Sequence, residues 1–388
     1  MPVPLQAAGF RSIGTARTPL NRVRRVLSTI GYVGCPVTSS TSSEVKVQTL
    51  QRSMGTAARK SAAVIGATGY IGSHVTSLLL QKGYAVTATA RNIERASWLK
   101  DLVGLGGGFL EVAELVLDSS APSHEDLGRI MKGCDVVFFC AGFEKQEPAT
   151  IDFMVNNACG VVQAATKEKV GCVVLTSSGG STNPPGHTNE IPKNELEHWS
   201  DPELQKANNR WSPAAKTLME INSLRAVGRN QQNEVVDEVL ASSAPRLCIM
   251  NPNLILGPQL QPGAVSGNSL PWLVSILKGE RMNEKIPNDS MSIIDVRDLA
   301  ALHVACAELP AASGRYFGVN RSFTWEEIFL AMKTAYPAVV IPPRFQGKAN
   351  TPTQFNHSRK ESLGVKLRDL PETMLDLVAF LKQRRFLT

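Results

Sequence analysis

Short apolar runs alternate with amphipathic helical segments through most of the chain that follows residue 60. Each run is typical of a buried strand, because strands covered on both faces lack the polar alternation of a half-exposed sheet. Between the runs, apolar positions recur at helical spacing. The predicted strands cover 62–65, 85–90, 115–117, 134–141, 172–175 and 246–251, and the predicted helices cover 70–81, 123–132, 151–167 and 213–240.

This alternation predicts the α/β class, with a Rossmann-type doubly wound parallel sheet that helices cover on both faces. Proline and glycine become frequent after residue 254 and the strand–helix rhythm weakens, which is typical of a smaller C-terminal substrate lobe above the strand ends. We therefore expect a Rossmann domain over 61–253 and a substrate lobe over most of 254–388, with 291–308 returning to the Rossmann domain.

Residues 1–60 differ in composition from the rest of the chain. They hold nine Lys or Arg and one acid, a net charge of +8; the whole chain carries +7, so the remainder carries −1. Apolar residues recur at helical spacing among the arginines of 20–30, as in a basic amphipathic targeting helix. We expect a disordered or cleaved leader that directs the protein to mitochondria (matrix or matrix side of the inner membrane). A plastid address, favoured by the Ser/Thr run 38–43, and a basic tail without an address stay open.

The composition also restricts the partners that the chain is expected to have. Because the excess positive charge lies in the leader, we expect no basic stripe on the folded domain and no nucleic-acid partner. No apolar stretch approaches the roughly 20 residues of a membrane-spanning helix, so no transmembrane segment is predicted. The seven cysteines are scattered and lack metal-ligand spacing, which indicates reduced core thiols, a reducing compartment and no metal site.

A glycine run, Gly66-Ala67-Thr68-Gly69-Tyr70-Ile71-Gly72, lies between the first predicted strand and the first predicted helix. In such a run the first glycine permits a tight turn, the second lets the backbone approach a pyrophosphate, and the third lets the helix pack on the strand. The phosphates then bind at the helix N-terminus. This position predicts a dinucleotide-binding loop rather than an ordinary glycine-rich turn. The residues expected to contact the cofactor here are Gly66, Thr68, Gly69, Tyr70, Ile71 and Gly72.

The residue that ends the second predicted strand distinguishes between the two nicotinamide cofactors. It follows the glycines by about 20 positions and meets the adenosine ribose, where an acid favours NAD(H) and a base favours the 2′-phosphate of NADP(H). The chain has Arg91 there, with Arg95 one helical turn further on. The sequence therefore predicts NADP(H), the alternative being a solvated surface arginine. Asp118, at the end of the third predicted strand, is expected beside the adenine.

Six motifs stand in order along the chain and carry a family resemblance: Gly66–Gly72, Cys134–Phe138, Val174–Ser178, Asn251–Pro258, Ile294–Ala300 and Ser313–Tyr316. Together they resemble the extended short-chain dehydrogenase/reductases, and within them the dihydroflavonol reductase and cinnamoyl-CoA reductase group. The resemblance covers about residues 61–340. It implies NADPH-dependent reduction of a small-molecule carbonyl or thioester that lies over the nicotinamide. Further cofactor contacts are expected from Cys140, Ala141, Asn251 and Pro252.

The family protonates and stabilises the substrate oxygen with a serine, a tyrosine and a lysine, the last two spaced Tyr-x-x-x-Lys on one helix face. By position, Ser178 matches the serine, and Lys216, which would also hold the nicotinamide ribose, matches the lysine. The tyrosine position is occupied by Ser212, and the five tyrosines, at 32, 70, 84, 316 and 336, lie elsewhere. An aliphatic hydroxyl is a far weaker acid than a phenol of pKa about 10, and losing a positioned acid costs ~10²–10⁴-fold in rate.

The serine at this position has a local explanation and leaves two functions open. Ser212-Pro213 is typical of a helix N-cap followed by proline at the first helical position. One reading is a reductase that uses water or an unconventional acid; His187 and His198, in the segment that often lines the substrate pocket, are the candidates. The other is a protein that keeps NADP(H) as a structural or sensing ligand, as an accessory subunit of an organellar complex with protein partners.

Overall fold

The computed structural model describes residues 47–48, 59–120, 122–143, 145–265, 267 and 269–387. Except for Val47–Gln48 and residues 59–60, the predicted leader lies outside the described residues, and so does its predicted targeting helix.

The strands and helices follow one another in the alternating order expected from the apolar pattern. In chain order the strands are β1 (Val47–Gln48), β2 (Ser61–Ile65), β3 (Ala85–Ala90), β4 (Phe109–Glu114), β5 (Val136–Phe139), β6 (Cys172–Thr176), β7 (Arg246–Pro252), β8 (Leu254–Leu256), β9 (Ser290–Asp295), β10 (Gly314–Gly318) and β11 (Arg321–Thr324). The helices are α1 (Tyr70–Gln81), α2 (His124–Met131), α3 (Ala149–Lys167), α4 (Pro202–Ala207), α5 (Trp211–Ala226), α6 (Glu238–Ser243), α7 (Ser269–Leu277), α8 (Val296–Glu308), α9 (Trp325–Ala335), α10 (Ser358–Glu361) and α11 (Leu370–Gln383).

One large sheet has the strand order β1-β4-β3-β2-β5-β6-β7-β10. Seven of these strands run parallel, and β1 pairs antiparallel with β4 at the edge. Alternate residues point to opposite faces, so Val64 packs in a core with α1 and α8 while Ile65 packs in a core with α2, α3 and α5. Both faces are therefore covered by helices, which confirms the doubly wound Rossmann-type fold.

A second sheet of three strands, in the order β11-β9-β8, forms the smaller lobe. Its apolar side packs with α7, α9 and α11 in a third core. In the segment expected to return to the Rossmann domain, 291–308, α8 and Ile294 of β9 pack in the core with α1, although β9 pairs in the small sheet. The structure adds β10 to the large sheet instead. Its short sequence, Gly-Arg-Tyr-Phe-Gly, lacks the continuous apolar run by which the other strands were predicted.

Two further predictions of secondary structure are wrong. The third strand is 109–114 rather than 115–117, and its sequence Phe-Leu-Glu-Val-Ala-Glu contains acids because it lies toward the edge of the sheet. The helix predicted over 213–240 ends at Ala226, since Gly228 adopts a left-handed φ of 70° and closes it. Within the part of the chain that the structure describes, no helix is both long and apolar enough to span a bilayer.

Candidate active site

The glycine loop turns sharply between β2 and α1 and leaves no room for side chains. Gly66 has a left-handed φ of 84°, and a Cβ added there would lie 2.7 Å from the amide nitrogen of Ala141. A Cβ on Gly72 would lie 2.2 Å from the carbonyl oxygen of Gly66. The Gly66 N–H donates to Thr89 Oγ1 at 3.2 Å, which fixes the turn to β3. The first and third glycines thus have the roles expected of them, and Cys140 and Ala141 lie against the loop.

The N-terminus of α1 is free to receive an anion. Gly69 precedes the helix without a side-chain cap, and the first turn contains no acidic residue. The unpaired N–H groups and the helix dipole therefore favour a phosphate at this end. The Tyr70 hydroxyl donates to the carbonyl oxygen of Gly257 at 2.7 Å, next to the small lobe. Burial raises the pKa of Tyr70. Ile71 packs against the core shared with α8, and Thr68 is half-buried.

The two arginines predicted to select the cofactor follow β3 directly. Arg91 and Arg95 are both exposed, and neither forms an ion pair with another described residue. The Arg95 N–H donates to Asn92 Oδ1 at 2.9 Å, which turns the chain just after the strand. Two unpaired guanidinium groups therefore lie at the strand end where the adenosine ribose is expected.

The sequence predicted that Asp118 ends the third strand, and this prediction is wrong. Asp118 lies four residues beyond the end of β4, and its Oδ1 accepts hydrogen bonds from the Ser120 N–H at 2.8 Å and from the Ser120 hydroxyl at 2.6 Å. Its carbonyl oxygen accepts from Asn157 Nδ2 at 2.6 Å, on α3. The carboxylate therefore serves a local turn that is anchored to α3.

Lys216 lies on α5 and reaches the carboxyl end of β6. Its ammonium donates to the carbonyl oxygen of Thr176 at 2.7 Å. Burial lowers the pKa of Lys216 to about 8, while Glu220 and Cys140 act in the opposite direction. Burial likewise raises the pKa of Cys140 to about 11, and Thr176 and Lys216 oppose that shift. Lys216 and Cys140 therefore influence each other electrostatically, and the main chain at Cys140 and Ala141 lies against the glycine loop.

Close packing of α5 on a short 3-10 turn, Gly179–Ser181, brings Pro213 near the Ser178 hydroxyl. A Cβ on Gly180 would lie 3.3 Å from Pro213 Cβ and 3.4 Å from Ser178 Oγ. The Ser178 hydroxyl oxygen accepts the Gly180 N–H at 3.1 Å, so its own proton remains available for donation. Ser212 is one helical turn before Lys216, and its N–H donates to Gln146 Oε1 at 3.2 Å.

The capping explanation for Ser212 is wrong. Helix α5 begins at Trp211 and its N-cap position is Arg210, which makes no side-chain cap. Pro213 consequently occupies the third helical position rather than the first. Starting the helix therefore does not account for serine at the position of the family's tyrosine.

A buried ion pair that the sequence analysis missed lies under this site. Glu220, one turn beyond Lys216, and Arg315 of β10 are almost fully buried, with Oε2 and Nε 2.7 Å apart. The other carboxylate oxygen accepts hydrogen bonds from the hydroxyls of Ser177 and Ser181 and, at 2.8 Å, from Asn251 Nδ2. The signal for this pair was a carboxylate on the face of α5 that otherwise buries alanine, threonine and methionine.

The hydrogen-bond network around Glu220 and Arg315 also holds the Ser178 turn and the loop that follows it. Asn251 Nδ2 also donates to the Ser178 carbonyl at 3.2 Å, so its amide nitrogen serves the network rather than pointing outward; Pro252 ends β7 beside it and is buried. Arg315 donates to the carbonyls of Glu195 at 2.8 Å, His198 at 3.0 Å and Ser181 at 2.9 Å. Its guanidinium lies 3.7 Å from the centre of the Trp199 ring.

The two loop histidines contact each other. The rings of His187 and His198 meet edge to face with their centres 4.8 Å apart. Burial lowers the pKa of His187, and the charge of Lys193 and the neighbouring His198 lower it further. His198 Nδ1 accepts the Asn194 N–H at 3.0 Å. Neither ring has a hydrogen bond to Ser178 or Lys216 among the described residues.

This geometry defines the class of protein: a Rossmann-fold protein with a nucleotide-binding glycine loop and a serine–lysine pair at the carboxyl ends of its strands. A family model described as NAD(P)H-binding matches residues 66–211. Cinnamoyl-CoA reductase 2 of Arabidopsis thaliana is 30% identical over 330 residues, covering 83% of this chain and 92% of the relative. Tetraketide alpha-pyrone reductase 2 of the same organism is 28% identical over 332 residues, covering 82% and 98%. The chain belongs to the extended short-chain dehydrogenase/reductase family, in the group of the cinnamoyl-CoA reductases.

Solved structures agree with this assignment at the level of the fold. The yeast methylglyoxal/isovaleraldehyde reductase, a structure complexed with NADPH, superposes with a TM-score of 0.69 at 24% identity and covers 84% of this chain and 100% of that chain. Vestitone reductase from alfalfa (Medicago sativa) superposes with a TM-score of 0.66 at 21% identity, covering 85% and 100%.

Proposed function

We propose that the protein is an NADP(H)-dependent reductase that transfers hydride to a small carbonyl or thioester compound. The observation that carries this proposal is the convergence of Ser178 and Lys216 beside the glycine loop, at the carboxyl ends of β5 and β6. Ligands bind at this edge in open α/β sheets. The relatives named for cinnamoyl-CoA and tetraketide pyrone substrates favour a thioester or a ketone as the acceptor.

The residues present fit a dinucleotide. The loop has no space for a Cβ at Gly66 or Gly72, and the uncapped first turn of α1 offers free N–H groups to a pyrophosphate. The unpaired cations of Arg91 and Arg95 suit a 2′-phosphate, which favours NADP(H) over NAD(H). When bound, NADPH supplies the hydride.

Ser178 and Lys216 have separate tasks in this proposal. The Ser178 hydroxyl, whose oxygen already accepts the Gly180 N–H, donates a hydrogen bond to the substrate oxygen and stabilises the negative charge that develops there. The Lys216 ammonium uses one hydrogen on Thr176 and keeps two for the nicotinamide ribose. With a pKa of about 8 it is mostly charged at pH 7.

Proton supply is where this chain departs from its family. With Ser212 in place of the tyrosine, we propose that water or an unconventional acid delivers the proton. The expected consequence is turnover ~10²–10⁴-fold below that of an enzyme with a positioned acid.

Ser212 also favours a second candidate, a protein that retains NADP(H) as a structural or sensing ligand in a larger assembly. A hydride-transfer experiment separates the two. The full chain is incubated with NADPH carrying deuterium at the transferable position and a panel of cinnamoyl-CoA thioesters, aldehydes and ketones. The reductase proposal predicts deuterium in the product, its loss in Ser178→Ala and Lys216→Met, and faster transfer in Ser212→Tyr. Tight NADPH binding with no deuterium transfer in any variant would support the second candidate and refute the first.

We also propose that residues 1–60 form a mitochondrial targeting leader. Their net charge of +8 and near absence of acids support this address. Import of the full chain into isolated mitochondria and into isolated chloroplasts, each followed by protease treatment, tests the proposal. Protection in chloroplasts alone would contradict it.

A further inference from the structure

Lys193 is a buried cation in the loop between the Ser178 turn and α4. Its side chain is only 6% exposed. Its backbone is fixed by two hydrogen bonds to a distant segment: its N–H donates to the Gln354 carbonyl at 2.9 Å, and its carbonyl accepts the Asn356 N–H at 2.8 Å. The fold therefore dictates where this ammonium lies.

The ammonium of Lys193 has no counter-ion among the residues that the structure describes. It donates to Asn183 Oδ1 and lies 6.0 Å from the centre of the Phe355 ring, and no described carboxylate approaches within ion-pair distance of it. Burial lowers the pKa of Lys193 to about 8. An uncompensated buried charge is costly, and a ligand that supplies the opposite charge would offset that cost.

A second buried lysine provides the comparison within the same molecule. Lys360 is also 6% exposed, but its ammonium donates to two main-chain carbonyls, of Val319 at 2.7 Å and of Asn320 at 2.9 Å. Lys360 thus links two parts of the lobe. The Lys193 ammonium makes one hydrogen bond among the described residues, to the side-chain amide of Asn183.

The surroundings of Lys193 are rich in donors. His187 closes the turn that follows Asn183, since its N–H donates to the Pro184 carbonyl at 3.3 Å, and its ring contacts that of His198. The charge of Lys193 contributes to lowering the pKa of His187. His187 Nε2 is buried and has no hydrogen-bond partner among the described residues. An ammonium and an imidazole N–H are donors that match the oxygens of a carboxylate or a phosphate.

This group of side chains adjoins the candidate active site. Asn183, which receives the Lys193 hydrogen bond, donates through Nδ2 to the Gly179 carbonyl at 2.9 Å. Gly179 directly follows Ser178, so a single side chain separates the ammonium from the Ser178 turn. The remaining anchor of this turn is the Asn183 N–H, which donates to Ser200 Oγ at 2.8 Å.

We propose that Lys193, assisted by His187, binds an anionic group of the substrate, a carboxylate or a phosphate placed a few atoms from the carbonyl that is reduced. This proposal rests on the proposed function, because it takes the Ser178 turn as the reaction centre. The anion replaces Asn183 as the partner of the ammonium. A neutral analogue leaves the buried cation unpaired, so discrimination of about 10- to 100-fold is expected from one charge-assisted contact.

Binding, rather than turnover, provides the test. Calorimetry on the NADPH-loaded full chain compares three probes: para-carboxybenzaldehyde, its uncharged methyl ester, and para-formylphenyl phosphate. Wild type is expected to bind one or both charged probes at least about 10-fold more tightly than the ester. The preferred charged probe identifies which anion the site takes. Lys193→Met should abolish the preference, Lys193→Arg should retain part of it, and the matched buried variant Lys360→Met should leave it unchanged.

Thermal unfolding of the same variants distinguishes a ligand site from a structural lysine. Replacing an unpaired buried charge with an apolar side chain of similar shape should keep or raise the melting temperature of Lys193→Met, whereas Lys360→Met should lower it. Equal binding of the ester and both charged probes, binding of no charged probe, or an unchanged preference in Lys193→Met would overturn the proposal. Because the readout is binding, a preference for the charged probes without any deuterium transfer would refute only the reductase function.

Discussion

Replacing Glu220 with glutamine perturbs the buried ion pair while keeping the shape of the side chain. In the native protein one carboxylate oxygen accepts from Ser177, Ser181 and Asn251, and the other lies 2.7 Å from Arg315 Nε. A glutamine offers a single oxygen and must turn its NH₂ group toward one of the two sets. Either the three donors or the guanidinium therefore loses its acceptor.

The expected loss of stability follows from that arrangement. Removing one partner of a buried pair destabilises a protein by about 3–5 kcal/mol. Arg315 retains three main-chain carbonyls and the Trp199 ring, which offset part of that loss, so we expect about 3 kcal/mol for Glu220→Gln. Glu203→Gln is the matched control. It removes the partner of Lys206 in an exposed pair of the same 2.7 Å length and should change stability by less than about 0.5 kcal/mol.

Urea unfolding followed by tryptophan fluorescence and by far-ultraviolet circular dichroism measures the difference. Coincident transitions establish the two-state condition under which the midpoint and slope give the free energy of unfolding. A double variant, Glu220→Met with Arg315→Met, should lose less than the sum of the two single variants, because no charge is left unpaired. A loss below about 1 kcal/mol for Glu220→Gln, or one equal to that of Glu203→Gln, would refute the reasoning.

Three further outcomes follow from single residues. Gly72→Ala places a methyl group 2.2 Å from the Gly66 carbonyl and should abolish NADPH binding in calorimetry, whereas Gly104→Ala, which meets nothing within 4 Å, should not. The affinity for NADPH should fall as the pH rises through about 8, where the Lys216 ammonium loses its proton, and Lys216→Met should show no such transition. His74 and His303 have their pKa lowered by burial from 6.5 to about 4, so the unfolded chain binds more protons in that window; urea midpoints should fall as the pH drops from 6.5 to 4, and less steeply in His303→Gln. An unchanged NADPH affinity in Gly72→Ala would contradict the first expectation, and an NADPH affinity that does not depend on pH would contradict the second. Urea midpoints that stay constant between pH 6.5 and 4 would contradict the third.

The fold was predictable where residues close together in the sequence determine the local structure. The glycine run, the buried apolar strands and the helical spacing between them are each set by near neighbours, and all lie in the Rossmann domain. The pattern failed at β4 and β10, since a strand close to the sheet edge admits acids and a short strand with a buried arginine has no apolar run. It also failed beyond Ala226, where exposed apolar residues such as Val239 imitate a helical stripe.

The candidate site was predictable only in part. Ser178, Ser212 and Lys216 follow from motif position, and the structure places Lys216 on the Thr176 carbonyl, two residues before Ser178. Glu220 and Arg315 are 95 residues apart in the chain, and Lys193 meets Phe355 across an even longer separation. Spacing along a sequence does not encode such contacts, because they depend on which strands and loops the fold places side by side.

The central claim is that the glycine loop and Arg91 bind NADP(H) selectively. Calorimetric titration of the full chain with NADPH and with NADH, in wild type and in Arg91→Ala, tests it most directly. We expect NADPH to bind at least about 10-fold more tightly than NADH, and Arg91→Ala to remove most of that difference by weakening NADPH alone, as expected for loss of a charge-assisted contact to phosphate. Equal affinities for the two cofactors in wild type, or a preference for NADPH that survives in Arg91→Ala, would contradict the claim.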